Sequence, residues 1–150
     1  MPDEFPQIQV MQQIGRTYRA LLAAFDANIG QPMPRWRILL MLHNEGETSQ
    51  KKLASELRMD PAALTRQIKA IENLGWVERH RDPHDNRLAN VELTPAGRAV
   101  VARTLPLRTA FIEKALSDLS SSDLAALSRM LDILERRLKR EGANEPRRDR

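Results

Sequence analysis

The strongest structural signals in this protein lie in residues 49–97, which read SQKKLASELRMDPAALTRQIKAIENLGWVERHRDPHDNRLANVELTPAG. A helix is predicted to begin at Pro61, because Asp60 can accept free N–H groups as an N-cap and proline at the first helical position has no N–H to satisfy. Apolar residues then recur at spacings of three and four, which is typical of a buried helical face. They are Leu64, Ile68, Ile71 and Leu74. Gly75 is expected to end the helix, because glycine readily adopts the left-handed conformation found there.

The opposite face of this helix carries small, hydroxylic and cationic side chains. They are Ala62, Thr65, Arg66 and Lys69. Side chains of this kind can enter the major groove of DNA and meet base edges and phosphates. We predict that Thr65 and Arg66 contact bases. Ala62 would allow close approach to a thymine methyl group, and Lys69 would hold a phosphate. The alternative is an ordinary solvated helix surface.

A shorter helix precedes this one. It is predicted over roughly residues 49–57, with Leu53, Ala54 and Leu57 on its buried side. Only residues 58–60 separate it from the helix that begins at Pro61. Two short helices joined by so tight a turn indicate a helix-turn-helix.

A β-hairpin is predicted to follow the helix-turn-helix. Residues 76–81 have the composition of a strand, residues 82–87 that of a turn, and residues 89–93 alternate as a returning strand. Thr94-Pro95 repeats the pattern of a cap followed by proline, so a new helix should leave the hairpin at once. The hairpin would be the wing of a winged helix-turn-helix, a class of DNA-binding fold.

Five runs in this stretch, in their order and spacing, resemble the MarR family of bacterial transcriptional regulators. The runs are Lys52-Leu53-Ala54, Leu64-Thr65-Arg66, Leu74-Gly75-Trp76-Val77, Asp82-Pro83-His84-Asp85-Asn86-Arg87 and Leu93-Thr94-Pro95-Ala96-Gly97. The flanking helices and the chain length also fit this family. The resemblance implies a homodimer, held by interleaved N- and C-terminal helices, that binds a pseudo-palindromic operator near a promoter.

The resemblance also implies roles within the wing, since Asp85-Asn86-Arg87 is similar to the family's Asp-x-Arg signature. It implies that Arg87 reaches the minor groove while Asp85 braces the hairpin. The alternative is that the two side chains merely pair with each other, and both can be partly true. Arg79 and Arg81 are further cations of the wing that we predict to face DNA.

Two amphipathic stripes outside the winged helix predict a dimer interface. Leucines at alternating spacings of three and four form the seam that helices use against one another. They are Leu124, Leu127, Leu131, Leu134 and Leu138, on a helix that Ser121 or Ser122 could cap. A second stripe near the N-terminus consists of Met11, Ile14, Tyr18, Leu22, Phe25 and Ile29. The alternative is packing within one chain. We therefore predict dimerisation helices in residues 1–32 and 98–142 around a winged helix-turn-helix in residues 33–97.

A small-molecule site is suggested by the resemblance, because many family members release DNA when a small aromatic or phenolic compound binds between the dimerisation helices and the DNA-binding part. In the helix opened by Pro34, Trp36 and His43 lie on one face. The predicted pocket adds Leu40, with Met33 and Met41 as an adaptable apolar lining, and Arg16 and Tyr18 for a carboxylate or phenol. The alternative is that Trp36 and His43 are plain core residues.

The composition of the chain limits the compartments and the chemistry that can be expected for this protein. The chain of 150 residues has a net charge of +4 and no cysteine. The absence of cysteine fits a reducing compartment and excludes thiol-based sensing and Cys-ligated metal sites. No long apolar run or charged-then-apolar leader is present, so we expect a cytoplasmic protein without a membrane partner. The basic residues 143–150 are expected to form a disordered, solvated tail, with a DNA-binding arm as the alternative.

Enzymatic and metal-dependent functions are not indicated. His80 and His84 lie beside Asp82 and Asp85, but their spacing matches no metal motif. No nucleophile motif, Gly-rich phosphate loop or acid–base pair is present, so we predict no catalytic residue, no metal and no cofactor.

The sequence therefore predicts a mainly α protein with a small β-hairpin wing, acting as a homodimeric repressor that a small aromatic or phenolic or aromatic-carboxylate ligand releases from double-stranded DNA. Two alternatives remain: a DNA-binding regulator without an effector, and a winged helix that serves as a protein-interaction module.

Overall fold

The computed structural model describes residues 5–87 and 89–143, which form six helices and three short strands. The helices are α1 (Pro6–Ile29), α2 (Met33–Glu45), α3 (Gln50–Leu57), α4 (Pro61–Asn73), α5 (Pro95–Ala115) and α6 (Ser121–Ala143). The strands are β1 (Thr48–Ser49), β2 (Val77–Arg81) and β3 (Ala89–Leu93). This arrangement confirms the predicted fold class. The chain divides into two compact units, one ending at Phe111 and the other beginning at Ile112, so the boundary falls within α5.

The start of α4 confirms the predicted capping. Oδ2 of Asp60 accepts a hydrogen bond from the N–H of Ala63 at 3.0 Å, and the helix begins at Pro61. Three of the predicted inner residues, Leu64, Ile68 and Ile71, are buried. The outer face of α4 is therefore fixed toward solvent.

The end of α4 is closed by Gly75, which has a φ of 77°. Its N–H donates to the carbonyl oxygen of Glu72 at 2.9 Å, while the N–H of Trp76 donates to that of Ile71 at 3.1 Å. This pair of bonds is a Schellman motif. The prediction that Leu74 belongs to the buried face is wrong, since its side chain is 49% exposed. Leu74 is the C-cap residue, and no further helical turn covers it.

The preceding helix, α3, is capped at both ends. Oγ of Ser49 accepts from the N–H of Lys52 at 3.1 Å. At the other end Arg58 adopts a φ of 51°, and it is the one non-glycine residue with positive φ among those described. This left-handed residue makes the tight turn into α4 possible.

We expect Arg58→Gly to raise the free energy of unfolding by roughly 0.5–1 kcal/mol. The substitution relieves the steric cost of a left-handed L-residue, although the larger entropy of the unfolded glycine offsets part of the gain. Urea denaturation followed by circular dichroism measures the change. The matched control is Arg66→Gly within α4, which should lower the free energy of unfolding by roughly 1 kcal/mol. A loss of stability in Arg58→Gly would contradict the prediction.

The sheet is antiparallel with strand order β1-β3-β2. The hairpin of β2 and β3 pairs Val77 with Leu93 and Arg81 with Ala89. The predicted first strand began at Trp76, but β2 begins at Val77 because the Schellman turn occupies Trp76. Strand β1 was not predicted, because two residues are too short to show a period. It places Thr48 opposite Val91 and thereby ties the start of α3 to the wing.

Thr94 fastens the start of α5 to the turn that follows α4. Its Oγ1 accepts from the N–H of Gly97 at 3.1 Å and donates to the carbonyl oxygen of Gly75 at 2.6 Å. The N–H of Thr94 also donates to the carbonyl oxygen of Trp76 at 3.0 Å. The predicted cap before Pro95 is thus confirmed, and it joins two parts of the fold.

The core of the first unit takes apolar side chains from the winged helix, from the C-terminal part of α1 and from the first part of α5. Its most completely buried members are Ile38, Leu39, Leu53, Leu64, Ile68, Ile71, Val77, Val91 and Val101. From the predicted stripe on α1, only Phe25 and Ile29 are buried. The ring of Phe25 packs edge-on against Phe111, with centroids 5.9 Å apart. Met11 and Tyr18, in contrast, remain exposed.

In the second unit, α6 begins with a reciprocal cap. The N–H of Asp123 donates to Oγ of Ser120 at 3.1 Å, and the N–H of Ser120 donates to Oδ2 of Asp123 at 3.0 Å. The predicted cap at Ser121 or Ser122 is therefore wrong by one or two residues, because both are already helical. No residue of α6 is buried. From the predicted tail, Ala143 ends α6, and residues 144–150 lie outside the described part.

Candidate nucleic-acid interface

The outer face of α4 presents the predicted DNA-contacting residues together. Ala62, Arg66 and Lys69 are exposed, and Thr65 is half-buried beside them. The side chain of Arg66 makes no hydrogen bond or ion pair within residues 5–87 and 89–143. A free cation on a helix whose other face is anchored in the core is suited to a base edge or a phosphate.

Thr65 is the one member of this face that is already hydrogen-bonded. Its Oγ1 donates to the carbonyl oxygen of Pro61 at 3.0 Å and accepts from Nε2 of Gln50 at 3.3 Å. Gln50, the first residue of α3, is not among the predicted site residues. Fifteen positions separate it from Thr65, so no local pattern connects the two.

The turn of the wing carries an arginine that is almost fully exposed to solvent. The Arg87 side chain is 91% exposed. Oδ1 of Asp85 accepts from the N–H of Arg87 at 3.0 Å and from its Nε at 3.3 Å. The same carboxylate therefore braces the turn and pairs with the guanidinium, so both interpretations of this signature fit the geometry. Arg81 is also exposed on the wing.

A polar network fastens the wing turn to the rest of the sheet. Nδ2 of the buried Asn90 donates to Oδ2 of Asp82 at 2.9 Å and to Oε1 of Glu47 at 3.1 Å. Glu47 also pairs with His80. Asp82 in turn accepts from the N–H groups of His84 at 2.7 Å and Asp85 at 3.1 Å. The bonds from Asn90 and from His84 hold the pKa of Asp82 below its usual range.

We expect Asp82→Ala to destabilise the protein near pH 7 more than near pH 3. The ionised Asp82 accepts the bonds of the network, so its depressed pKa contributes stability above the unfolded pKa that is lost as the pH falls through the folded pKa. Urea denaturation of both proteins at about pH 7 and about pH 3 measures the difference. Asp118→Ala, at an exposed position, is the control and should show no such difference. An equal destabilisation of Asp82→Ala at both pH values would contradict the prediction.

Arg79 occupies a different position from the one predicted. Its Nε and one terminal nitrogen each donate to a carboxylate oxygen of Glu72 at 2.9 Å. The ion pair raises the pKa of Arg79 and lowers that of Glu72. The guanidinium thus links β2 to α4, and this placement argues against its use on DNA. Glu72 looks like ordinary helix surface in the sequence, so nothing local reveals the pair.

None of the cavities described for residues 5–87 and 89–143 is lined by all seven residues predicted to frame an aromatic ligand. Trp36 is 2% exposed and belongs to the core, which matches the alternative interpretation of this residue. His43 is exposed and lines a cavity of about 170 Å³ beside Glu92 and Arg98. Pockets for drug-sized ligands are larger, roughly 300–1,000 Å³. Leu40 and Met41 line a separate cavity.

The remaining predicted pocket residues are spread along the first two helices. Arg16 and Tyr18 are exposed on α1, and Met33 is half-buried at the start of α2. The ligand site at these residues therefore stays a prediction.

The histidines of the wing have structural partners. His80 pairs with Glu47, and the N–H of His84 donates to Asp82. In the part of the chain that the structure describes, no three His, Cys, Asp or Glu residues are grouped to hold a metal ion. The described helices also include none that is long and apolar enough to cross a membrane.

The fold and this surface define a winged-helix DNA-binding protein. Similarity to known proteins identifies the family within this class. The MarR family profile matches residues 32–88. The chain is 31% identical over 96 residues to the HTH-type transcriptional regulator YwoH of Bacillus subtilis, covering 64% of this chain and 69% of YwoH. It is 29% identical over 130 residues to YdgJ of the same organism, covering 87% and 77%. The chain belongs to the MarR family of DNA-binding transcriptional regulators, as the sequence motifs predicted.

Further relatives extend this comparison. The HTH-type transcriptional repressor IacR of Pseudomonas putida is 23% identical over 132 residues, covering 88% of this chain and 78% of IacR. Among solved structures, a mutant MarR from E. coli complexed with operator DNA has a TM-score of 0.80 at 22% identity, with 88% and 98% of the two chains covered. Bordetella bronchiseptica BpsR, whose DNA binding is regulated by 6-hydroxynicotinic acid, has a TM-score of 0.76 at 23% identity, with 85% and 98% covered. These two structures share the fold of the protein.

Proposed function

We propose that this chain acts as a homodimeric repressor of a pseudo-palindromic operator, with α4 in the major groove and the wing at the minor groove. The observation that best supports this proposal is the exposed row of Ala62, Arg66 and Lys69 on a helix whose other face is buried. The 91% exposed Arg87 supplies the second contact, because an extended arginine can follow the potential of a narrow minor groove.

The proposed dimer is supported by exposed apolar side chains in both units. In α1, Met11 is 49% and Tyr18 is 58% exposed. In α6, Leu127, Leu131 and Leu138 are 39%, 46% and 48% exposed, at the spacing of a helix–helix seam. Exposed apolar area of this extent is unusual on a monomer and is typical of an interface. A second copy of the chain would bury both seams.

Two relatives support repression and a response to a ligand as parts of the proposal. IacR is named a repressor, and BpsR is regulated by a hydroxylated aromatic carboxylate. We extend both properties to this chain as part of the proposal, with Arg16 and Tyr18 as candidate partners for a carboxylate or phenol. A regulator without an effector is the second candidate, favoured by the burial of Trp36 and the small volume beside His43.

Selection of operators from a random DNA duplex pool tests the proposal. At near-physiological salt the purified protein should enrich an inverted repeat with half-sites about one helical turn, roughly 34–36 Å, apart. Sedimentation should show a dimer. An unenriched pool would contradict a sequence-specific regulator and favour the protein-interaction module.

The ligand is tested on the selected operator. 4-Hydroxybenzoate carries both a phenol and a carboxylate, and it should lower operator affinity if it binds the free dimer more tightly than the DNA-bound dimer. Unchanged operator affinity at saturating concentration of this compound and of simple phenols would favour the regulator without an effector.

A further inference from the structure

The hydroxyl of Thr65, on the outer face of α4, already has two hydrogen-bond partners within the chain. A hydroxyl has one proton and two lone pairs. Oγ1 lies 3.0 Å from the carbonyl oxygen of Pro61, which can only accept, so the proton lies between these two atoms. Nε2 of Gln50 approaches the same oxygen at 3.3 Å and uses one lone pair. One lone pair is left for a ligand.

The assignment of the Gln50 amide is consistent with this arrangement. If its carbonyl oxygen faced Oγ1 instead, that oxygen and the carbonyl of Pro61 would compete for a single hydroxyl proton. The amide nitrogen can donate to Thr65 without that conflict. The cross-helix bond therefore gives the Gln50 side chain a defined orientation as well.

We propose that Gln50 and Pro61 keep Thr65 as a hydrogen-bond acceptor, so that Thr65 selects a base bearing an exocyclic amino group, adenine or cytosine, at one position of each half-site. In the major groove adenine offers its N6 amino group and cytosine its N4 amino group, whereas guanine and thymine offer carbonyl oxygens. A carbonyl oxygen facing the remaining lone pair of Thr65 would be left without a donor. The inference rests on the proposed placement of α4 in the major groove.

Gln50 acts as a positioning residue in this scheme. Thr65 could donate to a carbonyl oxygen of guanine or thymine in only two ways. Its hydroxyl proton would have to leave the hydrogen bond to Pro61, or the side chain would have to change rotamer and lose the hydrogen bonds to both Pro61 and Gln50. The bond to Gln50 adds to the cost of turning, because a half-buried amide would lose its partner. Without Gln50, the Thr65 side chain has less to lose by changing rotamer and becomes less selective.

Operator selection with the unsubstituted chain and four variants tests the inference. The unsubstituted chain should prefer adenine or cytosine at one position of each half-site by at least about fivefold over guanine and thymine. Thr65→Val keeps the shape and removes the hydroxyl, so it should lose this preference at that position and keep the others. Gln50→Leu should weaken the preference at the same position. Thr65→Ser keeps the hydroxyl and should retain the preference.

Lys69→Ala is the control for a general loss of affinity. It removes an expected phosphate contact and should weaken binding to all sequences alike without changing any base preference. A guanine or thymine preference at the Thr65-dependent position would overturn the inference, as would a Thr65→Val profile identical to that of the unsubstituted chain. A pool that is unenriched by the unsubstituted chain would instead overturn the proposed function, and the inference with it.

Discussion

Gly97→Ala is expected to lower the free energy of unfolding by about 3 kcal/mol, the cost of forcing a methyl group into a packed site. A Cβ at position 97 would lie 2.0 Å from the carbonyl oxygen of Trp76 and 2.9 Å from its carbonyl carbon. Both are backbone atoms, and the oxygen is held by the N–H of Thr94. Relief would require the start of α5 to move away from the turn after α4. Chemical denaturation monitored by circular dichroism measures the loss.

The destabilisation expected for Gly97→Ala is opposite in sign to the usual effect of this substitution in a helix. Glycine to alanine inside a helix ordinarily stabilises by up to about 1 kcal/mol. Gly142 in α6 has no atom within 4 Å of the position a Cβ would take, so Gly142→Ala is the matched control and should stabilise slightly. If Gly97→Ala were as stable as the control, the close approach to Trp76 would be disproved.

Arg66→Ala is expected to reduce affinity for the selected operator about 100-fold while leaving the free energy of unfolding within about 0.5 kcal/mol. The side chain is exposed on α4, so its removal disturbs no packing. In a dimer the contact is lost in both half-sites, and two losses of about 1.4 kcal/mol each give this factor. Fluorescence anisotropy at fixed salt, with the operator and a scrambled duplex, measures the change.

Arg79→Ala separates a DNA contact from a general effect of removing an arginine. Because Glu72 accepts hydrogen bonds from two nitrogens of this guanidinium, we expect Arg79→Ala to lower the free energy of unfolding by up to about 1 kcal/mol and operator affinity by less than about threefold. A comparable loss of affinity in the two variants would contradict the distinction between Arg66 and Arg79. An Arg66→Ala protein with nearly unchanged affinity would remove α4 from the candidate interface.

The helical frame could be predicted because its signals act over short distances. Asp60 before Pro61 and Thr94 before Pro95 are caps that bond within the next three residues. The periodicity of the inner face of α4 is equally local, and it leaves Ala62 and Arg66 outside by elimination. Where the helix ends, the local rule fails, as Leu74 shows by its exposure.

The details of the site could not be predicted in the same way. Trp36 and His43 share a helical face at regular spacing, yet one is buried and the other exposed, because the neighbours of that face come from other elements. Gln50 was missed because its partner lies on the next helix. The predicted roles of the DNA-contacting and ligand-binding residues stay predictions until the operator is known.

Capping, proline placement and hydrophobic period were sufficient to establish two helices, a wing and an exposed cationic face, since each depends on residues a few positions apart. Three features could be seen only in the folded structure. They are the hydrogen bond between Asn90 and Glu47, which are 43 residues apart, the ion pair of Arg79 with Glu72, and the close approach of Gly97 to Trp76. In each of them, packing brings together groups whose separation along the chain carries no periodic signal, and their partners depend on how α4, the sheet and α5 meet in space.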